Sequence, residues 1–364
     1  MWYHQKAFVL VTTLWVLAIL AIAISFFALW TQRTITLAQK MQDNLQGEID
    51  MHSTQANIIY LLTTQRMTIA GLTVPPKKEL DATKTLDELK DEFTQQQNNS
   101  ITSEGDSILP IGGEIFLDDS PYFGHGKAYF ALQDIGGLIP INLVSAATLN
   151  QLLGFLGVDI ELRPPLIAKF YDYIDTDDLH RLNGAEAYHY EKRDLLPPTN
   201  HFLINPMESQ RILDWTEQSL MWENNRIGQL TNTVLPAMPN FNTAPSLVLQ
   251  AAYNITADGA KSLTKFRRTV PFYTLNKVNQ MAGVHLNVDP MEANFFPSHY
   301  LRLTLWYEDA QRMRQVQLKL THNVDGYEPW LIDYTLEWAL LPDYTKKNPI
   351  HAQTTVFNST LFSP

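Results

Sequence analysis

Residues 7–32 contain no ionisable side chain, and 8–30 are apolar almost throughout. A helix over 8–30, at about 1.5 Å per residue, is long enough to cross roughly 30 Å of hydrocarbon. A secretory signal peptide usually has an apolar region of only about 7–15 residues ending in a small-residue cleavage site. The run fits a retained single span better. His4 and Lys6 before it nearly balance Arg33 and Lys40 after it, so the positive-inside rule does not orient it.

The helical pattern continues past the span. Leu37, Met41, Leu45, Ile49, Ala56, Ile59 and Leu62 recur at three-, four- and seven-residue spacing among polar residues, with no proline before Pro75. This predicts one helix over 8–64, apolar all round in its first half and on one stripe in its second. The alternative is a span followed by a separate amphipathic helix. Gly47 inside it costs about 1 kcal/mol of helix propensity.

The remainder of the 364 residues has room for two modules. The chain has no cysteine, which excludes disulfides, thiolate metal sites and cysteine nucleophiles. Its net charge of −11 opposes broad attraction to nucleic acid. Residues 71–107 are polar and read as a connector with at most one short helix, at 85–93. Short strands are expected at 115–117 and 127–132. Helices are expected at 146–156, 165–174, 208–217, 246–253, 257–267 and 275–281. Leu301, Leu303 and Leu305, then Val316, Leu318 and Leu320, then Ile332, Tyr334, Leu336 and Trp338 alternate with more polar neighbours. These are half-buried antiparallel strands with turns near Glu308-Asp309 and Asp325-Gly326. Trp306 and Trp330 lie in or beside them, suited to half-burial in a sheet or to an interface. The fold class is α+β.

An internal echo links Ile141-Asn142 with Phe241-Asn242. Each pair precedes a helix and then a second helix, the latter carrying Ala168-Lys169-Phe170 or Thr264-Lys265-Phe266. Two helical hairpins are expected, each Asn acting as a turn or capping residue.

In this order the chain carries Leu14-Trp15-Val16-Leu17-Ala18, Gly137-Leu138-Ile139-Pro140-Ile141-Asn142, Tyr171-Asp172-Tyr173-Ile174-Asp175-Thr176-Asp177-Asp178, Asn183-Gly184-Ala185-Glu186, Asn242-Thr243-Ala244-Pro245 and Arg267-Arg268-Thr269-Val270-Pro271-Phe272. That ordered set resembles the general secretion pathway protein K family, the large minor pseudopilins of type II secretion systems. The part after residue 283 is the least similar.

The resemblance implies a pilin-like fold: a long N-terminal helix packed on an antiparallel sheet, interrupted by a large all-α insertion. The implied division is a leader at 1–7, the membrane and pilin-type helix at 8–64, a head from 65–144 and 284–345, an inserted helical domain at 145–283, and a tail at 346–364. It implies prepilin peptidase cleavage between Ala7 and Phe8, although the family's usual residue before the cut is Gly. Thr12 then occupies mature position five, where most pilin-like subunits carry a glutamate that balances a neighbour's N-terminal amine. An unpaired charge in an apolar bundle is expensive, so a subunit without that glutamate suits the first position at the tip. The implied partners are minor pseudopilins of types I and J, the major pseudopilin and the inner-membrane secretion platform. The implied location is the inner membrane of a Gram-negative cell, single-pass, with the globular part in the periplasm. The resemblance implies no enzymatic activity. The stripe Leu37, Met41, Leu45, Ile49, Ile59 and Leu62 is the expected partner surface.

Asp172, Asp175, Asp177, Asp178 and Glu186, with Asn183-Gly184 among them, offer several carboxylates in a turn-rich stretch suited to a hard cation, Ca²⁺ first. The spacing is not an EF-hand, and a solvated acidic helix end has the same composition. His180 and His189 lie nearby, but there is no His-x-x-x-His or His-Glu-x-x-His pair and no Gly-x-Ser-x-Gly elbow. The rival function is a membrane-anchored helix-hairpin-helix protein for DNA binding and uptake. The acidic surroundings of Leu156-Gly157-Val158, with Asp159 and Glu161, oppose it, and the second copy has no such glycine.

Overall fold

The computed structural model describes residues 5–75, 108–235, 238–321 and 328–357. Helix α1 (Gln5–Thr64) runs unbroken for 60 residues, about 90 Å at the usual rise. The two-helix alternative is therefore not found. Side chains at 10–30 are exposed all round. The hydroxyls of Thr13, Ser25 and Thr31 donate to carbonyls of Leu10, Ala21 and Phe27 in their own helix, so few polar groups in this stretch need water. Among the described residues, α1 is the helix long and apolar enough to cross a membrane.

Burial begins at Gly47 and recurs at Asp50, Met51, Thr54, Ile58, Leu61 and Leu62, a helical stripe that seats the second half of α1 on a sheet. After α1 come the two-residue strands β1 (Met67–Thr68) and β2 (Gly71–Leu72), paired antiparallel. The main sheet contains β3 (Asp118–Phe123), β4 (Ala128–Asp134), β7 (Tyr300–Tyr307), β8 (Arg312–Leu320) and β9 (Trp330–Ala339), side by side in that order and antiparallel throughout. Phe130, Leu132, Leu301, Leu303, Leu305, Val316, Leu318 and Leu320 point at Met51, Ile58, Leu61 and Leu62 to form the head's core.

Between β4 and β7 lies the helical insertion: α2 (Ala146–Phe155), α3 (Arg163–Ile174), α4 (Ala187–Glu191), α5 (Ser219–Trp222), α6 (Arg226–Leu230), α7 (Ser246–Tyr253), α8 (Ala257–Phe266) and α9 (Leu275–Ala282). A parallel bridge between β5 (Ile139–Pro140) and β6 (Thr231–Asn232) ties its base. A last short helix, α10 (Pro342–Lys346), follows the sheet. Its Tyr344 stacks on Trp306 at 4.6 Å. Trp306 is thus buried on the sheet's second face, and Trp330 is half-buried against the core beneath α1.

The helices and three tail strands lie where their periodicities place them, with three differences. Residues 208–217 do not form an α-helix: a 3-10 turn over Pro206–Arg211 stops there, and Asp214 has φ 66°. Ile115 makes only an isolated bridge to Leu72, and the real strand follows at Asp118–Phe123, whose Asp-Asp-Ser-Pro looks like a turn. Pro121 is accommodated because β3 is an edge strand with a register shift. Domain limits also move. The insertion's apolar core runs from Ile139 to Phe295, so boundaries at 145 and 283 fall inside it. Part of the expected tail belongs to the head, since Ile350 pairs with Tyr122 and Phe357 enters the head core. The helix expected at 85–93 and the turn at Asp325-Gly326 lie outside the described residues.

The register gives the molecule polarity. Near the membrane-length segment, Asp50 accepts the Lys127 N–H at 2.9 Å, Thr54 accepts the His125 N–H at 2.9 Å, and Glu48 pairs with Arg314 at 2.9 Å. These bonds hold the β3–β4 hairpin turn and the adjoining end of β7–β8 onto α1. The insertion leaves β4 after Asp134 and re-enters at Tyr300, the opposite ends of those strands. It therefore sits at the end of the sheet away from residues 10–30. Gly47 has a specific reason at this seat: a Cβ there would lie 2.5 Å from Tyr307 Cγ. Gly47→Ala should thus lower head stability, overpacking of about 1–3 kcal/mol outweighing the propensity gain. Thermal melts of Gly47→Ala with and without Tyr307→Ala check this, the ring truncation relieving the penalty.

Candidate functional site

Helix α3 delivers Asp172 in its last turn and is C-capped by Asp175. Asp172 is fully buried and accepts the N–H groups of Arg181 at 3.1 Å and Ala185 at 2.9 Å, plus the Arg181 guanidinium at 2.7 Å. The same Arg181 nitrogen also pairs with Asp175. Residues 181–185 wrap tightly round the Asp172 carboxylate, because a Cβ on Gly184 would lie 1.8 Å from its Oδ2 and Asn183 adopts φ 63°. The Asn183-Gly184 pair is therefore a close-approach requirement. Asp177 accepts the Leu179 N–H at 2.9 Å, and Asp178 accepts the Asn200 side-chain amide at 3.1 Å.

Glu186 differs from these. It is 6% exposed and opens α4 as a capping box with His189, whose ring accepts the Glu186 N–H at 3.2 Å, yet neither carboxylate oxygen has a donor in full hydrogen-bond geometry. Asp175 Oδ1 and Asn200 Oδ1 are likewise buried without a partner. Burial, then the charges of Asp172, Asp175, Asp178 and Asp177, push the Glu186 carboxyl up to about 7. A carboxylate held this way lacks a counter-charge. Among the described residues no three His, Asp or Glu side chains already converge as a metal cage. The five acids divide instead: Asp172, Asp177 and Asp178 are engaged by donors, while Asp175 and Glu186 keep free oxygens. Asn200 was not legible as a site residue, being distant in sequence and carrying no spacing signal.

The two echoed asparagines prove equivalent, but neither is a cap. Ser145 caps α2 by accepting the Thr148 N–H at 3.1 Å, and Pro245 precedes α7 without a side-chain bond. Asn142 instead accepts from Leu203 N at 2.9 Å and donates to Leu203 O at 3.0 Å and Thr233 O at 3.1 Å. Asn242 repeats the pattern with Phe272 N at 2.7 Å, Phe272 O at 2.7 Å and Phe295 O at 2.9 Å. Each amide clamps a loop that crosses beneath its hairpin. The hairpin corners differ: Gly157 has φ 89° between α2 and α3, whereas Asn254 takes the left-handed position between α7 and α8. Exposed Asp159 and Glu161 stand at the first corner, which disfavours a phosphate backbone.

On α1, Leu37, Met41, Leu45 and Ile49 are exposed, a ridge at four-residue spacing. The expected stripe is corrected beyond it. Ile59 packs against the head core and Leu62 is 1% exposed within it, because the helix face turns toward the sheet there. Thr12 is exposed on the apolar half. Ala7 and Phe8 belong to α1 by backbone, and their side chains lie outside the described residues.

No protein-family model matches the chain, and a search of curated proteins finds no match. Among solved structures the chain is similar to a chain of the GspK-GspI-GspJ complex from the enterotoxigenic Escherichia coli Type 2 Secretion System, at 12% identity and a TM-score of 0.46. The match covers 70% of this chain and 100% of that chain. By its own elements the protein has the expected class: a long apolar-to-amphipathic helix laid on an antiparallel sheet, with a helical insertion. Removing the Asn242 amide strands three buried backbone groups, at about 1–3 kcal/mol each. Asn242→Ala should therefore cost at least about 3 kcal/mol in chemical denaturation, and half-buried Asn142→Ala less.

Proposed function

We propose that this chain is a minor pseudopilin of a type II secretion system, standing at the pseudopilus tip and helping to start its assembly. The observation that carries the reading is the polarity of the molecule. An exposed apolar rod leads into a head whose bulky helical insertion lies at the far end of the sheet, which leaves little room for another subunit above it. Residues 10–30 would anchor it singly in the inner membrane, with the head in the periplasm. The ridge Leu37, Met41, Leu45 and Ile49 would bundle with minor pseudopilins of types I and J and with the major pseudopilin. Prepilin peptidase would cut between Ala7 and Phe8, and the secretion platform would receive the processed helix. The role is structural rather than enzymatic.

We propose Ca²⁺ as the cation for the acidic loop, supported by the charges of Asp172, Asp175, Asp178 and Asp177 that crowd the buried Glu186 carboxyl. Glu186 and Asp175 would supply charge and Asn200 a neutral oxygen, with Asp172, Asp177 and Asp178 shaping the surround. The bound ion would supply positive charge that joins the 175–186 and 200 segments.

A deletion strain should lose exoprotein release, and the full-length protein should restore it. Thr12→Glu should reduce tip occupancy or secretion, since a carboxylate in the apolar bundle would need an amine partner that a leading subunit does not meet; unchanged secretion and occupancy would remove the tip assignment. For the full chain in detergent, Ca²⁺ should raise the melting temperature, and Glu186→Gln should abolish that rise; a Ca²⁺-insensitive wild type would remove the metal.

A further inference from the structure

We propose that the cleft where the insertion meets the edge strand β3 and the C-terminal segment binds a carboxylate on a short apolar stem, carried either by a protein side chain or by a small free acid. The inference stands apart from the secretion and calcium readings.

The cleft has a volume of about 260 Å³, with Phe116, Pro271 and Ile350 as apolar walls and Arg267 and Arg268 on its lining. Sites for drug-sized ligands run from about 300 to 1,000 Å³, so this one suits a single side chain or a small acid. Its positive charge comes from the end of α8. Arg267 caps that helix, and its side chain is 4% exposed. Its Nη1 donates to Phe241 O at 3.1 Å and Ala244 O at 2.7 Å, and its Nη2 to Asp118 at 3.4 Å, while its Nε is buried without an acceptor. Arg268 is 47% exposed and donates through Nη2 to Asp118 at 3.2 Å and to Ser120 Oγ at 2.7 Å.

Two guanidinium groups therefore share the one carboxylate of Asp118, on its Oδ2, and the Ser120 hydroxyl donates to Oδ1 at 2.5 Å. Glu114 also lines the cleft, but it is turned to its own loop, accepting the Ile111 N–H at 2.6 Å and the Gly112 N–H at 3.1 Å. Arg268 uses Nε and Nη2, which leaves its Nη1 without an acceptor among the described residues. A second carboxylate entering there would set two carboxylates against two guanidiniums and lay its stem on Phe116, Pro271 and Ile350. The planar fork of arginine matches a carboxylate better than the point charge of lysine does.

Full-length protein in detergent is titrated calorimetrically with acetyl-Ala-Leu-Glu-Leu-Ala-amide, the same peptide with Gln for Glu, glutarate, and inorganic phosphate. The Glu peptide and glutarate should bind and the Gln peptide should not. Arg268→Gln should weaken the carboxylate ligands at least about tenfold, and Arg268→Lys should recover part of the loss. Thr269→Trp, at an exposed position on the rim, fills the cleft while keeping both arginines and should abolish binding even where Arg268→Gln melts early. A Glu peptide tighter than glutarate identifies a protein side chain as the source, and the reverse order a free acid. Binding of phosphate alone, equal binding of the two peptides, unchanged carboxylate binding in Arg268→Gln or Thr269→Trp, or no binding of any probe overturns the site.

Discussion

Everything in this molecule follows from one helix with two kinds of surface, apolar all round at first and apolar on one face beyond. An α-helix satisfies its own backbone groups, so α1 can cross hydrocarbon without unpaired amides. Its second half must then find an apolar partner, and the sheet provides it through Phe130, Leu132, Leu301, Leu303 and Leu305. Because the helix is not interrupted, the membrane-length half and the head share one rigid axis. Asp50 and Thr54 add direction to that seat. They bind amides of the hairpin turn, so α1 cannot slide one helical turn along the sheet without stranding them.

The second face of the sheet obeys a different rule. Gln133 donates to Thr243 O at 3.1 Å, Arg302 to Gly228 O at 2.9 Å, and Gln315 to Gln229 Oε1 at 3.2 Å. The insertion is thus attached largely by hydrogen bonds, which set orientation more sharply than apolar contact does. Asp134 pins both crossings of the chain: it accepts from Gly136 N at 2.9 Å, Ser298 N at 3.0 Å, Asn240 Nδ2 at 3.1 Å and Thr243 Oγ1 at 2.8 Å. At the sheet's edge, buried Asp118 meets Arg267 and Arg268. Burial alone would raise its carboxyl, and the two guanidinium charges outweigh that, holding it below the usual carboxylate range.

What could be read in advance was what repeats. The α1 stripe and the alternation in β7, β8 and β9 are periodic, so their elements were legible to within a few residues. What could not be read depends on partners far away in sequence. Asp-Asp-Ser-Pro became a strand only because β4 and the segment at Ile350 flank it. Leu62 continued the apolar stripe, yet which of its neighbours faced a sheet and which faced outward required the sheet's position. The asparagine echo was visible, but its chemistry was not, because the clamped backbones at Leu203 and Phe272 lie 61 and 30 residues away. The acidic loop was visible as composition; the difference between engaged Asp172 and unpartnered Glu186 was not.

The distribution of donors in that loop argues for its position in the whole. Strand β4 connects the Asp50 seat to the Asp134 junction over seven residues, about 20 Å of extended chain. From there Asn240 and Thr243 pass the connection into the helical core. The Gly136-Gly137 pair that follows Asp134 is itself buried and held, Gly136 donating its N–H to Asp134. The helical insertion is thus tied to α1 through β4 and the hydrogen bonds of Asp134. Buried oxygens without donors are poor devices for stability, and here they lie in the insertion, at the end of the molecule where the α1 seat bears no load. That separation lets the loop remain electrostatically incomplete while the head and its rod stay folded.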